Sequence, residues 1–162
     1  MFGWRDGGIV ALGLAAHHPN LVRKLAIIGA GYNASAEKSD FKLRMQTLKP
    51  DNEHLRPFHE AYSQVAPNAD NWPLLIKKIK AMYGNFKGWS EEEMRSLNAP
   101  LMVMLGDDDF LRLEHALELF RMAPNRRLAV LPGSDHSAPV ERADWVAAML
   151  IDFFNTSYPG GS

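Results

Sequence analysis

At 162 residues, with a formal net charge of −1 and with hydrophobic and charged residues at 46% and 23%, the chain is about one globular domain long and can bury roughly 70% of its unfolded surface. That balance excludes disorder as the default state and gives no electrostatic case for nucleic acid. There is no cysteine, which removes disulfides, thiolate zinc sites and a cysteine nucleophile.

No apolar run approaches the roughly 20 residues of a membrane span. With no signal-peptide pattern at the N-terminus, the expectation is a cytoplasmic protein without a membrane partner.

The chain opens on Met1-Phe2-Gly3-Trp4-Arg5-Asp6-Gly7-Gly8, followed at once by an apolar run from Ile9 to His18. A glycine-flanked turn that leads straight into an apolar helix is a strand-to-helix elbow, with one residue strained at its tip. Gly3 and Gly7 have the spacing expected around a tip at Arg5. The helix is apolar on nearly every side, which predicts burial within a layered fold, and Pro19 ends it. His17 and His18 fall in its last turn as donors to free carbonyls.

Leu25-Ala26-Ile27-Ile28, bounded by a basic pair and by Gly29, reads as a strand buried on both faces. From Asn33 to Trp89 the pattern turns polar and helix-periodic, broken by Pro50, Pro57, Pro67 and Pro73. Leu74, Leu75, Ile76, Ile79, Met82 and Tyr83 form its clearest amphipathic helix, with Lys77, Lys78 and Lys80 facing water. Ser90-Glu91-Glu92-Glu93 is a capping box opening a short helix that ends near Asn98.

Pro100 then releases the chain into a second buried strand, Leu101–Leu105. Leu113, Ala116, Leu117 and Phe120 place a helix after it. Leu128–Leu131 is a third strand, and Trp145, Val146, Met149, Leu150 and Phe153 mark a final helix. Alternation of this kind predicts an α/β fold, a parallel sheet of about three strands with right-handed crossovers. Tyr158–Ser162 reads as a loose tail. Asn155-Thr156-Ser157 matches the glycosylation acceptor pattern, and no internal repeat is present.

Open parallel sheets place ligands at strand C-terminal ends, and chemistry-bearing residues stand at two of these: Asp107, Asp108 and Asp109 after Gly106, and His136 within Pro132–His136. With the elbow, they give the chain its resemblance to the α/β-hydrolase fold family, whose elbow reads G-x-S-x-G. In that family an aspartate follows a strand as G-x-x-D, and a histidine lies on the next strand's loop.

The resemblance runs from Gly3 to about Phe154. It implies Asp109 as the acid, His136 as the base, the backbone N–H of Asp6 as an oxyanion donor and Trp4 as a wall of the binding site. It also implies a hydrolase core in residues 1–32 and 90–155, a helical cap in 33–89 over a pocket for a small ester-like ligand, a tail in 156–162, and no cofactor.

Two departures accompany it. Arg5 stands where the serine nucleophile is expected, and arginine stays protonated at ordinary pH. The strands that precede the elbow in the family, with the loop supplying half of the oxyanion hole, are not in this sequence. The implied protein is a truncated, inactive or weakly active carboxylic-ester hydrolase-like domain. The alternatives are a hydrolase of small esters or lactones with an unusual nucleophile, and a non-catalytic binding or assembly module.

Ser134 and Ser137 read as loop hydrogen bonders. The aspartates with His136 could instead take a divalent metal, though the leading expectation is that there is none. Arg5 either pairs with Asp109 or His136 in a plugged, anion-binding site or is exposed. Loss of the strand before the elbow would leave 25–28 as an open edge, predicting a homodimer or higher oligomer through that edge and the N-terminal helix.

Overall fold

The computed structural model describes residues 1–123 and 125–158. The chain divides into two compact units, one comprising Met1–Lys38 with the chain from Lys87 onward, the other Ser39–Phe86.

The first unit is built on a parallel sheet of four strands in the order β1 (Phe2–Trp4), β2 (Leu25–Ile28), β3 (Leu101–Gly106), β4 (Arg126–Leu131). This is one strand more than the sequence predicts. Phe2–Trp4 pairs with Ala26–Ile28, so 25–28 is an interior strand, buried at all four residues. The expected open edge at 25–28 is therefore corrected: β2 has neighbours on both sides.

Alternation along the strands divides the core into two layers. Leu25, Ile27, Leu101, Val103 and Leu105 face one side, where α1 (Asp6–His17), α5 (Glu91–Arg95) and α6 (Leu113–Met122) bring Leu12, Met94 and Leu119. Ala26, Ile28, Met102 and Met104 face the other, covered by α7 (Ala138–Glu141) and α8 (Ala143–Asn155) through Ala138, Val146 and Phe153. Helix α1 is buried at Gly8, Ala11, Leu12, Gly13 and Ala15, packs Ile9, Leu14 and Ala16 partly against the same core, and leaves Val10 67% exposed. Its composition suggests burial all round because alanine and glycine carry little polarity to mark a solvent face.

Lys24 docks α8 against the start of β2, donating to the carbonyls of Phe154 and Thr156 at 2.6 Å each. A cation there complements the free carbonyls of the helix C-terminus. Tyr158 is not loose: it packs on Phe153 with ring centroids 5.7 Å apart. The remainder of the expected tail, 159–162, lies outside the described residues.

The capping box forms as its sequence dictates. Ser90 Oγ accepts from Glu93 N–H, and Ser90 N–H donates to Glu93 Oε2 at 2.6 Å. Glu93 also lies 3.0 Å from His17 Nε2, so the end of α1 is tied to the start of α5. The Ser90 backbone N–H, followed by its hydroxyl, holds the Glu93 carboxyl below the usual range. Ser90→Ala is expected to cost about 1 kcal/mol, measured by urea denaturation at neutral pH.

The second unit contains α2 (Ser39–Thr47), α3 (Arg56–Val65) and α4 (Trp72–Asn85). Phe41, Trp72 and Ile76 are its buried hydrophobic residues. Trp72 Nε1–H donates to Pro50 O at 2.9 Å, and the His59 ring stacks on the indole at 4.8 Å. Lys80 does not simply face water: it donates to Leu48 O at 3.0 Å. Among the described residues, no helix is long and apolar enough to cross a membrane.

Candidate active site

The elbow is present and strained. Arg5 has φ 55° and ψ −126° and is the only non-glycine residue at positive φ among the described residues. Such a conformation costs of the order of 1–3 kcal/mol and persists only where its surroundings over-determine it. Here Arg5 N–H donates to Ile28 O at 3.1 Å, and Arg5 O accepts from Gly8 N–H at 2.8 Å and Ile9 N–H at 3.2 Å. The tip is pinned to β2 on one side and to α1 on the other.

The close approach needs Gly3, where a Cβ would sit 2.5 Å from Gly7 O. It does not need Gly7, where a Cβ would meet open space. Gly8 is the second crowded position, facing Ala30. Arg5 is half-buried and its Nε has no solvent contact, which disposes of the exposed alternative.

At the end of β3, Asp109 is 1% exposed and its Oδ1 accepts from Leu111 N–H at 3.1 Å. Its neighbours do other work. Asp107 is exposed and accepts from Ser134 N–H at 3.1 Å, and Asp108 N–H donates to Ser134 O at 3.0 Å. The loop after β4 is thereby fastened to the loop after β3.

His136, on the fastened loop, places Nδ1 3.0 Å from Asp109 Oδ1 and 3.2 Å from Oδ2. A carboxylate can only accept, so the ring proton sits on Nδ1 and Nε2 is left as an acceptor. Nε2 is buried and has no hydrogen-bond partner among the described residues. Phe110 lies against the ring with centroids 4.2 Å apart, and Trp4 donates from Nε1 to His136 O at 3.2 Å. Asp6, the first residue of α1, is exposed.

Sequence reasoning missed Phe110 and also Gly29, at the end of β2. Its φ is 59°, and a Cβ there would sit 2.8 Å from His136 Cε1, 2.9 Å from Nδ1 and 3.4 Å from Asp109 Oδ2. Positive φ and the missing side chain are both needed for the pair to fit. The only sequence signal was a glycine directly after a buried strand.

Ser134 is buried and its hydroxyl donates to Pro132 O at 3.2 Å, while Ser137 N–H donates to Asp135 Oδ1 at 2.6 Å. Among the described residues no group of three His, Cys, Asp or Glu is arranged to hold a metal. A second buried histidine, His115, accepts from Tyr32 N–H at Nε2, while Ser35 Oγ at 3.3 Å and Glu118 Oε2 at 3.8 Å both approach Nδ1. Hydroxyl and carboxylate share one ring nitrogen there, so the ring cannot pass a proton between them.

Asp107 adds a pH-dependent tie. The N–H groups of Ser134 and Gly133 hold its carboxyl below the usual range. A lowered folded pKa contributes stability that is present above the ordinary carboxylate value of about 3.9 and is lost as pH falls through the lowered one. Asp107→Asn is accordingly expected to be less stable than the unsubstituted protein at neutral pH. The gap should close below about pH 4, followed by urea denaturation across that range.

No family model matches the chain. Over 158 residues it is 28% identical to the mouse serine hydrolase BPHL, covering 94% of this chain and 53% of that protein; the chain thus spans about half the length of this curated relative. Among solved structures it resembles a meta-cleavage product hydrolase from Pseudomonas fluorescens, with TM-score 0.71 and 18% identity over 95% of this chain and 63% of the other. It also resembles an enol-lactonase from Burkholderia xenovorans, with TM-score 0.65 and 18% identity over 96% and 65%. The chain has the α/β-hydrolase fold.

Proposed function

We propose that this α/β-hydrolase-fold chain is a carboxylic-ester hydrolase-like domain that keeps an acid–base pair but no hydroxyl at its elbow, and is therefore inactive or weakly active toward esters. The observation that carries this reading is the Asp109–His136 pair at 3.0 Å, with Nε2 turned away from Asp109 and unpartnered, beside an elbow whose strained tip is Arg5. In triad chemistry the carboxylate fixes the imidazole tautomer, and the free nitrogen takes a proton from the attacking hydroxyl. Asp109 and His136 fill the first two roles. A guanidinium stays protonated and cannot fill the third.

In this reading the Asp6 backbone N–H is the oxyanion donor, and Trp4 and Phe110 wall the reacting centre. The names of the similar proteins, a serine hydrolase, a meta-cleavage product hydrolase and an enol-lactonase, support a small-molecule ligand with a carbonyl at its centre.

A second reading rests on the unpartnered Nε2 itself: His136 deprotonates a water that attacks a small ester or lactone directly. Hydrolysis of a short-chain activated ester by the unsubstituted protein, by Arg5→Ser and by His136→Ala separates the two. Silence in the unsubstituted protein with activity in Arg5→Ser supports the first. Activity in the unsubstituted protein that vanishes in His136→Ala supports the second, and silence in every variant leaves a domain that binds without reacting.

A further inference from the structure

The imidazole of an acid–base pair must stand in two relations at once: to the carboxylate that fixes its tautomer, and to the elbow tip, where an attacking hydroxyl would stand. The bonds to the β3 side serve the first. Ser134 N–H to Asp107 and Asp108 N–H to Ser134 O fasten the histidine loop to the loop after β3, and Asp109 holds Nδ1 itself.

The second relation needs a tie from the elbow side, and Trp4 supplies one. Its indole Nε1–H donates to the backbone carbonyl of His136 at 3.2 Å, and its ring centroid lies 6.2 Å from that of the imidazole. The bond joins β1 to a loop 132 residues further along the chain. It falls on the histidine's own backbone, whereas the loop's fastenings to the β3 side fall on Ser134.

Trp4 is also the residue directly before the tip, and its backbone is held on both sides. Arg5 N–H is bonded to Ile28 O, Met1 O accepts from Ala26 N–H at 3.0 Å, and Gly3 lies against Gly7 and Gly8 with no room for a side chain. The indole is therefore presented from the same pinned backbone that carries the tip. A tryptophan has only two side-chain torsions to fix, so the span from strand to loop is held at low entropic cost.

We propose that Trp4 is a positioning residue, its indole N–H setting the distance between the His136 imidazole and the elbow tip. The inference rests on the Asp109–His136 reading given above. A misplacement of about 1 Å in a reacting site costs up to about 10²-fold in rate, so the tie matters to chemistry more than to stability. Trp4 is 40% exposed on an edge strand, outside both layers of the core.

Trp4→Phe keeps an aromatic ring and removes the donor. Its effect is read twice, well below the thermal midpoint, so that loss of folded protein does not enter. In the chain with Arg5 in place, NMR relaxation dispersion of the His136 ring signals is expected to appear in Trp4→Phe, because the untied ring samples a second position. In the Arg5→Ser background, adding Trp4→Phe is expected to lower kcat about fivefold, the scale of one lost hydrogen bond, with KM unchanged.

A rise in KM with kcat kept means that Trp4 only walls the ligand, and it overturns the proposal. So do His136 ring signals as sharp in Trp4→Phe as in the unsubstituted protein. Should Trp4→Phe fail to fold, solvent exchange of the indole N–H in the unsubstituted protein decides: exchange no slower at Trp4 than at the comparably exposed Trp145 overturns the tie. Silence of Arg5→Ser toward esters would sink the acid–base reading alone, and the ring dynamics of His136 would still decide the role of Trp4.

Discussion

Arg5→Ser is expected to raise hydrolysis of a short-chain activated ester by about 10²-fold or more over the unsubstituted protein, the scale of a restored nucleophile with its general base. The geometry needed for the gain is already built. The tip stays at positive φ because Ile28 O holds its N–H while Gly8 and Ile9 hold its carbonyl, and none of these bonds involves the arginine side chain.

His136 arrives with its proton on Nδ1 and its acceptor on Nε2, fixed by a carboxylate that is itself held by Leu111 N–H. A serine hydroxyl needs that tautomer and no other. Adding Asp109→Asn to Arg5→Ser should abolish the gain, because an amide can satisfy the opposite tautomer. Adding His136→Ala should return the rate to background. An Arg5→Ser protein that folds, keeps the His136 to Asp109 bond by NMR and yet shows no turnover would rule out the reading of these two residues as a latent acid–base pair.

The elements that were legible in the sequence are those whose signal is local. Leu25–Ile28 and Leu101–Leu105 are unbroken apolar runs, and both are interior strands with every residue buried. Ser90 and Glu93 carry a cap within four residues, and it forms. Strand β1 was not legible as a strand in its own right because three residues show no period, and what makes them a strand is the backbone of Ala26–Ile28 beside them.

Strand β4 begins two residues earlier than its apolar run, at Arg126 and Arg127. Edge position lets charged residues pair with Leu101 and Met102 while their guanidiniums lie over Phe120 and Phe153 at 5.2 and 5.9 Å. In the site, Asp109 and His136 could be named because their residue types announce chemistry and follow strands in order. Gly29 and Phe110 could not: one acts by lacking a side chain and the other by lying against a ring on a distant loop, and neither relation is written in local spacing.

Gly106→Ala is expected to destabilise the fold by about 3 kcal/mol, lowering the midpoint of thermal unfolding by roughly 10 °C, and to misplace His136. A Cβ built on Gly106 falls inside the van der Waals shell of the Ser134 carbonyl and 2.8 Å from Asp135 O. Those are backbone atoms, so no rotamer change absorbs the methyl and the loop itself must retreat. It is held at that point by Ser134 N–H to Asp107 and by Asp108 N–H to Ser134 O, and retreat stretches both.

His136 lies two residues beyond Ser134, so its distance to Asp109 opens with the loop, and the turnover gained in Arg5→Ser should vanish on adding Gly106→Ala. Gly7→Ala is the control. It adds the same methyl at a helical position that faces open space, where alanine is favoured over glycine by about 0.5–1 kcal/mol. If the two substitutions shift the thermal midpoint equally, the close approach at Gly106 does not fix the histidine loop.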